Sequence, residues 1–496
     1  MKVRSASAWR WRLGLGLLVC ALTLVAAVPG FGVGVTPQQV TVTLPPGGST
    51  TVSKAVETAK LPPASDFLFL ADTTGSMGPS IADVKANAQT IISAIEGAGA
   101  ADGRYAVANY RDTTANAACN YLDQLNTDFT NAAGAIAAIN TWSIGSTSDD
   151  TGCDLPESQL YALHQAATSS LGLTWRAAAE KFIIWFGDAP GHDPICNLLP
   201  GYSDPDAAVT EASATADLVG LGAHVIAVSI VGNPLSQPGL DADPAPISND
   251  YPPPCAADEQ GTAGQATRIA TATGGVVFVN PAGSSLAAAI IAALDALPPV
   301  PVTVTPSATC DAGLSASFNP ASQVVNSGST ANFVETLMVT AALPGVTLGC
   351  TVDFLINGVN AGPAFRQTVT VTVGFPESTP GCKVTQGGSI VTSAGDSANF
   401  GGNAHVPPKG HENYVDHGTG MHVSSIDVLS VVCSRDGTMA GIFGTATIDG
   451  AGSFVYRIDV VELGEPGTSD RYRIRLSNGY DSGDQQLEGG NVQIHS

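Results

Sequence analysis

The residues best suited to chemistry stand at one turn: Asp72, Thr74 and Ser76 alternate directly after the apolar run 67–71. A carboxylate and two hydroxyls are hard oxygen donors, the kind Mg²⁺ favours together with water. The same spacing also fits a turn whose Thr or Ser caps the next helix. Further acids fall at comparable places. Asp112 follows the apolar stretch 105–110, Asp188 follows 183–187 in Gly187-Asp188-Ala189-Pro190-Gly191-His192, and Asp154-Leu155-Pro156-Glu157 precedes a helical pattern. Acids just after strands or just before helices are what a metal site assembled from several loops leaves in a sequence.

Positioning these residues requires a scaffold, and residues 65–298 supply its pattern. Strands are predicted at 67–71, 105–110, 181–186, 224–231 and 276–280, several of them continuous Val/Ile/Phe runs suited to burial on both faces. Between them lie helical stretches. In the first, Ile81, Val84, Ala88, Ile91, Ile92 and Ile95 recur at helical spacing; 155–170, 206–221, 260–273 and 284–297 have similar character. Alternating strands and helices predict a doubly wound, Rossmann-like α/β domain, whose ligands sit at the carboxyl edge of the sheet. The Pro-rich segment 232–255 is expected to be a surface loop.

The segment Asp72-Thr73-Thr74-Gly75-Ser76-Met77 resembles the Asp-x-Ser-x-Ser metal-ion-dependent adhesion motif of von Willebrand factor type A domains. Asp154-x-Pro156-Glu157 and Asp188-Ala189-x-x-His192 are similar to the I-like domain of integrin β subunits. This resemblance covers 65–298 and implies that Asp72, Thr74 and Ser76 hold a cation, with Glu157 and Asp188 completing the site directly or through water. Mg²⁺ is the expected ion, Mn²⁺ and Ca²⁺ the alternatives. An open coordination position would accept a carboxylate from a protein or extracellular-matrix partner. Asp112, Asp154 and the carbonyl of Pro156 resemble the neighbouring second cation site, although Gly152 stands where the integrin pattern has an amide side chain. Pro79 and Ser80 replace the paired acids of a third site. Asp112 and Asp154 also fit simple turn or cap roles, and His192 a loop-shaping one.

The rest of the chain sets the context. Its 496 residues allow several domains, and a formal charge of −23 argues against nucleic acid as a partner. Residues 1–30 read as a signal peptide: Lys2, Arg4, Arg10 and Arg12 precede the apolar run 13–28, so a secreted or cell-surface protein with no membrane insertion after processing is expected. Beyond Cys20, eight cysteines remain, and sequential pairing (119–153, 196–255, 310–350, 382–433) keeps each bridge inside one domain. Residues 38–60 suggest a β-hairpin, 61–298 the type A domain, 299–376 an Ig-like β-sandwich that the hairpin would complete, and 381–496 an all-β domain. The last unit, with Gly401-Gly402-Asn403-Ala404 and Asp416-His417-Gly418, resembles a post-COAP-type β-rich accessory domain. Its His405, His411, His417 and His422, beside Glu412 and Asp416, suit either a transition metal or ordinary loops; their spacing matches no familiar zinc site.

No nucleophile elbow, His-Glu-x-x-His or phosphate loop occurs. A non-enzymatic, metal-dependent adhesion or ligand-binding protein is the expectation. A secreted metal-dependent hydrolase and an envelope module with a purely stabilising metal are the alternatives.

Overall fold

A computed structural model describes residues 33–112, 123–145, 155–195, 208–245, 261–340 and 342–495. The expected signal peptide 1–30, Asp154, Gly152 and the cysteines 119, 153, 196 and 255 lie outside the described residues.

The chain enters through β1 (Gly34–Thr36), β2 (Gln39–Leu44) and β3 (Ser49–Glu57). It then builds a six-stranded sheet from β4 (Ala64–Asp72), β5 (Asp102–Tyr110), β6 (Asp123–Thr130), β7 (Glu180–Gly187), β8 (Ala223–Val231) and β9 (Val276–Pro281). The strand order is β6-β5-β4-β7-β8-β9, parallel except at the β6 edge. Among the described residues six helices cover it: α1 (Gly78–Gly97), α2 (Ala132–Ile139), α3 (Gln159–Ala167), α4 (Glu211–Leu221), α5 (Gln265–Ala272) and α6 (Leu286–Ala296).

Alternation along each strand divides the core in two. Phe67, Phe69 and Ala71 of β4 pack with α1, α2 and α6, whereas Leu68 and Leu70 pack with α3, α4 and α5. Side chains of a strand point to opposite faces by turns, so a strand covered on both sides must be apolar throughout. Every residue of β4 is buried. The α1 stripe of Ile81, Val84, Ala88, Ile91, Ile92 and Ile95 faces the sheet as the spacing predicts, and Pro79 opens the helix. Two elements were not foreseen. β6 is a half-exposed, largely polar edge strand, and the short α2 follows it, capped by Asn131.

After α6 the chain forms β10 (Pro301–Cys310), β11 (Leu314–Asn319), β12 (Gln323–Asn326), β13 (Thr330–Val339), β14 (Thr347–Ile356), β15 (Val359–Asn360) and β16 (Arg366–Val373). These face one another in two sheets, β1-β3-β13-β11 and β12-β10-β14-β16-β2, with β15 on β14. β3 pairs with β13 antiparallel, and β2 pairs with β16 parallel, so strands from before and after the α/β segment share both sheets. Pro301, the last residue of the Pro-rich stretch 298–301, already starts β10. Cys310 and Cys350, directly opposite in register, form a disulfide.

The last segment is a closed antiparallel barrel of eight strands: β17 (Lys383–Val391), β18 (Ser397–His405), β19 (Lys409–Asp416), β20 (Met421–Cys433), β21 (Met439–Ile448), β22 (Ala451–Val461), β23 (Arg471–Leu476) and β24 (Gln485–His495). Closure leaves no free sheet edge. A Cys382–Cys433 disulfide ties the start of β17 to the end of β20. Among the described residues no helix is long and apolar enough to cross a membrane.

Candidate metal centre

The order of the α/β sheet reverses between β4 and β7: the chain passes from β4 to β5 on one side, and β7 pairs with β4 on the other. Such a reversal opens a crevice at the carboxyl ends of the two central strands. Asp72 ends β4 and Asp188 follows β7, so both carboxyls issue into that crevice.

Local bonding fixes the first turn. Asp72 Oδ1 accepts from the Thr74 amide at 2.9 Å and from Thr74 Oγ1 at 2.7 Å, and Thr74 Oγ1 lies 3.3 Å from Ser76 Oγ. The chain then makes a short 3₁₀ turn, Gly75–Met77, into α1. Asp188 Oδ2 accepts from Gln237 Nε2 at 3.0 Å, and the same amide donates to the Ser76 carbonyl at 3.3 Å. Asp72 Oδ2 and Asp188 Oδ1 are buried without a hydrogen-bond donor. Burial, then the charge of Asp188, pushes the Asp72 carboxyl up to about 8. Asp188 is also raised, burial again being the main cause. Two buried carboxylates this close require a proton or a cation between them.

The Glu157 segment is built beside Asp188 by main-chain bonds. The Glu157 amide donates to the Pro190 carbonyl at 2.9 Å, and the His192 amide donates to the Glu157 carbonyl at 3.1 Å. Ser158 anchors the next residue to β5, its amide and hydroxyl both donating to the Arg111 carbonyl. Gln265, fully buried on α5, brackets Gly191 from behind, accepting from its amide at 2.7 Å and donating to its carbonyl at 2.8 Å. The Tyr110 phenol is held well above its ordinary pKa by burial and then by the charge of Asp72, with Glu157 and Asp188 adding to it. Three acids from three separate elements therefore act on one phenol, which accepts from Trp185 Nε1 at 3.0 Å. Gly187 makes room for this convergence: a Cβ there would stand 2.5 Å from Tyr110 Oη and 3.1 Å from Asp72 Oδ2.

The structure thus brings Asp72, Thr74, Ser76, Glu157 and Asp188 to one edge of the sheet. Of the second set, Asp112 and Pro156 are buried there too, and His192 Nε2 lies 3.2 Å from Asp112 Oδ1. Three contributors escaped the sequence reading. Gln237 sits in the Pro-rich segment, Gln265 in an ordinary helix, and Tyr110 at a strand end; none carries a motif. The donors fit a hard cation, being carboxylate and hydroxyl oxygens with two buried oxygens lacking a donor.

Among the described residues no three His, Cys, Asp or Glu side chains form a metal-binding group, either at this edge or elsewhere, so the donor set here is carboxylate plus hydroxyl. The barrel histidines do not converge with their acidic neighbours. Alternation on β19 turns Glu412, Tyr414 and Asp416 inward, while His411 points to solvent and meets Asn413 and Ser425. His417 bonds Asn399 on the outside.

No protein-family model and no curated protein matches the chain. Solved structures similar to it include a von Willebrand factor type A protein from Catenulispora acidiphila, with 12% identity, a TM-score of 0.26, and coverage of 68% of this chain and 72% of that one. The pilus adhesin SpaC from Lactobacillus rhamnosus GG, in an open conformation, is 9% identical over 91% of this chain and 82% of its own, with a TM-score of 0.29. The ArnB paralog VWA2 from Sulfolobus acidocaldarius is 10% identical over 66% and 72%, with a TM-score of 0.23. At such TM-scores these likenesses carry no argument about this chain, whose fold is read from its own strand order.

Proposed function

We propose that the chain is an extracellular adhesion or ligand-binding protein whose α/β domain offers a divalent cation, Mg²⁺ first, to a carboxylate of a protein or matrix partner. The observation supporting this is the pair Asp72 and Asp188, fully buried at the sheet's switch point, each with one oxygen lacking a donor. Asp72, Thr74 and Ser76 would hold the ion, with Asp188 and Glu157 completing the set and Asp112 with Asp154 and Pro156 a second, optional site. When bound, the ion supplies an electrophilic position for the partner's carboxylate. Around it, Gln237 orients Asp188, and the Gln265 clamp keeps the Asp188–His192 segment against Glu157. Residues 61–298 would act as the binding domain, the integrin I-like pattern being its nearest resemblance, with 38–60 and 299–376 as scaffold and 381–496 as an accessory unit.

The complete burial of Asp72 and Asp188 favours a second reading, in which the ion only stabilises the fold. Beads bearing carboxylate-terminated peptides separate the two. Adhesion predicts retention in Mg²⁺, release by EDTA and loss of retention in Glu157→Ala. Cation binding without retention would leave the stabilising role, and retention indifferent to EDTA would contradict both.

A further inference from the structure

The sandwich contains an arrangement unrelated to the cation site. Along β13 and β16, and at Val52 and Val56 of β3, the inward positions are apolar, as a half-buried strand requires, except at one level. There Lys54, Glu335 and Gln367 all face the core, and each is buried to 2% exposure or less. Lys54 pairs with Phe333 and Glu335 with Val52, so the amine and the carboxyl are diagonal neighbours on one sheet. Gln367 reaches them from the opposite sheet, where it pairs with Val352. Lys54 Nζ lies 3.1 Å from Glu335 Oε2, and Gln367 Nε2 donates to that same oxygen at 3.0 Å. The inward neighbours are Phe333, Leu337, Val56 and Val369, so water is excluded.

As an ion pair this grouping is hard to explain. Burying an ammonium and a carboxylate is costly, and apolar residues of similar size in their place are often neutral or stabilising. The grouping is also incompletely bonded: Glu335 Oε1 and Gln367 Oε1 are buried with no donor. Departures from the binary pattern that leave polar atoms unsatisfied are characteristic of functional positions.

We propose that Lys54 and Gln367 undergo an intramolecular transamidation, with Glu335 as proton carrier, that joins the two sheets through an amide bond. Desolvation lowers the Lys54 pKa, against the raising effect of Glu335, and so favours the neutral amine, whose lone pair is the nucleophile. The Lys54 nitrogen attacks Cδ of Gln367, and one N–H proton passes to Glu335. Collapse of the tetrahedral adduct breaks the Cδ–Nε2 bond, the proton returns from Glu335 to the departing nitrogen, and ammonia leaves. No redox partner is needed, and Glu335 is regenerated.

The bond would link a strand that precedes the α/β segment to one that follows it. Both disulfides of the described residues lie entirely after that segment, so neither makes this connection. The chain from 54 to 367 would become a covalent loop whose two roots cannot be pulled apart.

The direct test is the intact mass of the reduced, denatured wild-type protein, with a peptide map. A mass lower than the processed sequence by one ammonia, and one branched peptide joining Lys54 to Gln367, are expected. Proteolytic nicking within 57–301 should leave fragments that stay together on a reducing denaturing gel, whereas fragments of Lys54→Met should separate. An unshifted mass with separable wild-type fragments overturns the proposal, without relying on any variant to fold. Loss of one water with a Lys54–Glu335 linkage would overturn the assignment to Gln367.

Discussion

Glu412 shows what one buried carboxyl does to stability. It lies inside the barrel, its Oε2 accepting from Gln386 Nε2 at 2.7 Å, and burial pushes it from an ordinary 4.5 up to about 8. A raised carboxyl pKa means that the folded barrel holds this proton more tightly than the unfolded chain. The contribution is therefore complete below about pH 4.5 and is lost as pH rises through about 8. Scanning calorimetry should show the barrel transition falling across that interval, by an amount on the order of a few kcal/mol. Glu412→Gln should flatten the slope; an unchanged slope would mean Glu412 is not its source. At this scale the Asp72 turn was legible because its donors are contiguous. Gln237 was not, because a glutamine in a Pro-rich loop carries no signal until the fold brings it onto Asp188. Lys54 was hidden for the opposite reason: within an alternating strand, nothing in the sequence marks it as facing inward.

Gln265 governs an element rather than an atom. It holds the amide and carbonyl of Gly191 in a buried place, and through Gly191 it fixes the segment between Asp188 and Glu157. Gln265→Ala would strand both main-chain groups, at a cost of about 2 kcal/mol or more. Trp142, Trp175 and Trp185 lie in the α/β segment and the other two, Trp9 and Trp11, in the expected signal peptide, so tryptophan fluorescence of the processed chain follows this unit in denaturant. An earlier fluorescence transition and weaker Mg²⁺ binding are expected; a parent-like result in both would show that the clamp does not position the site. The central strands of this sheet were readable as continuous apolar runs, since both of their faces are covered. β6 was not, because an edge strand of sequence Asp-Gln-Leu-Asn-Thr-Asp-Phe-Thr has one half-exposed side and no apolar run. The barrel was readable only as an all-β segment, and β17 and β18 show a related reason. Gly387, Gly388, Gly401 and Gly402 break the apolar alternation, and Gly402 is held small by Glu412, whose Oε2 would meet a Cβ at 2.0 Å.

At the scale of the molecule, the α/β segment leaves and re-enters the same pair of sheets. β3 is interior to its sheet, between β1 and β13, so a chain lacking 33–57 would expose the β13 edge and half of the sandwich core. Calorimetry of that deletion should lack the sandwich transition; an unaltered transition would mean that β10 to β16 fold without β1 to β3. Mechanical load on a ligand held at the crevice would pass through both roots of the α/β segment into these sheets. The adhesion proposal depends on a cation at Asp72 and Asp188, which makes Mg²⁺ titration calorimetry of the parent protein and of Asp72→Ala, with melts of both, the decisive measurement. Saturable binding in the parent and none in a still-folded variant is predicted. No binding by the folded parent, or undiminished binding by Asp72→Ala, would contradict the account.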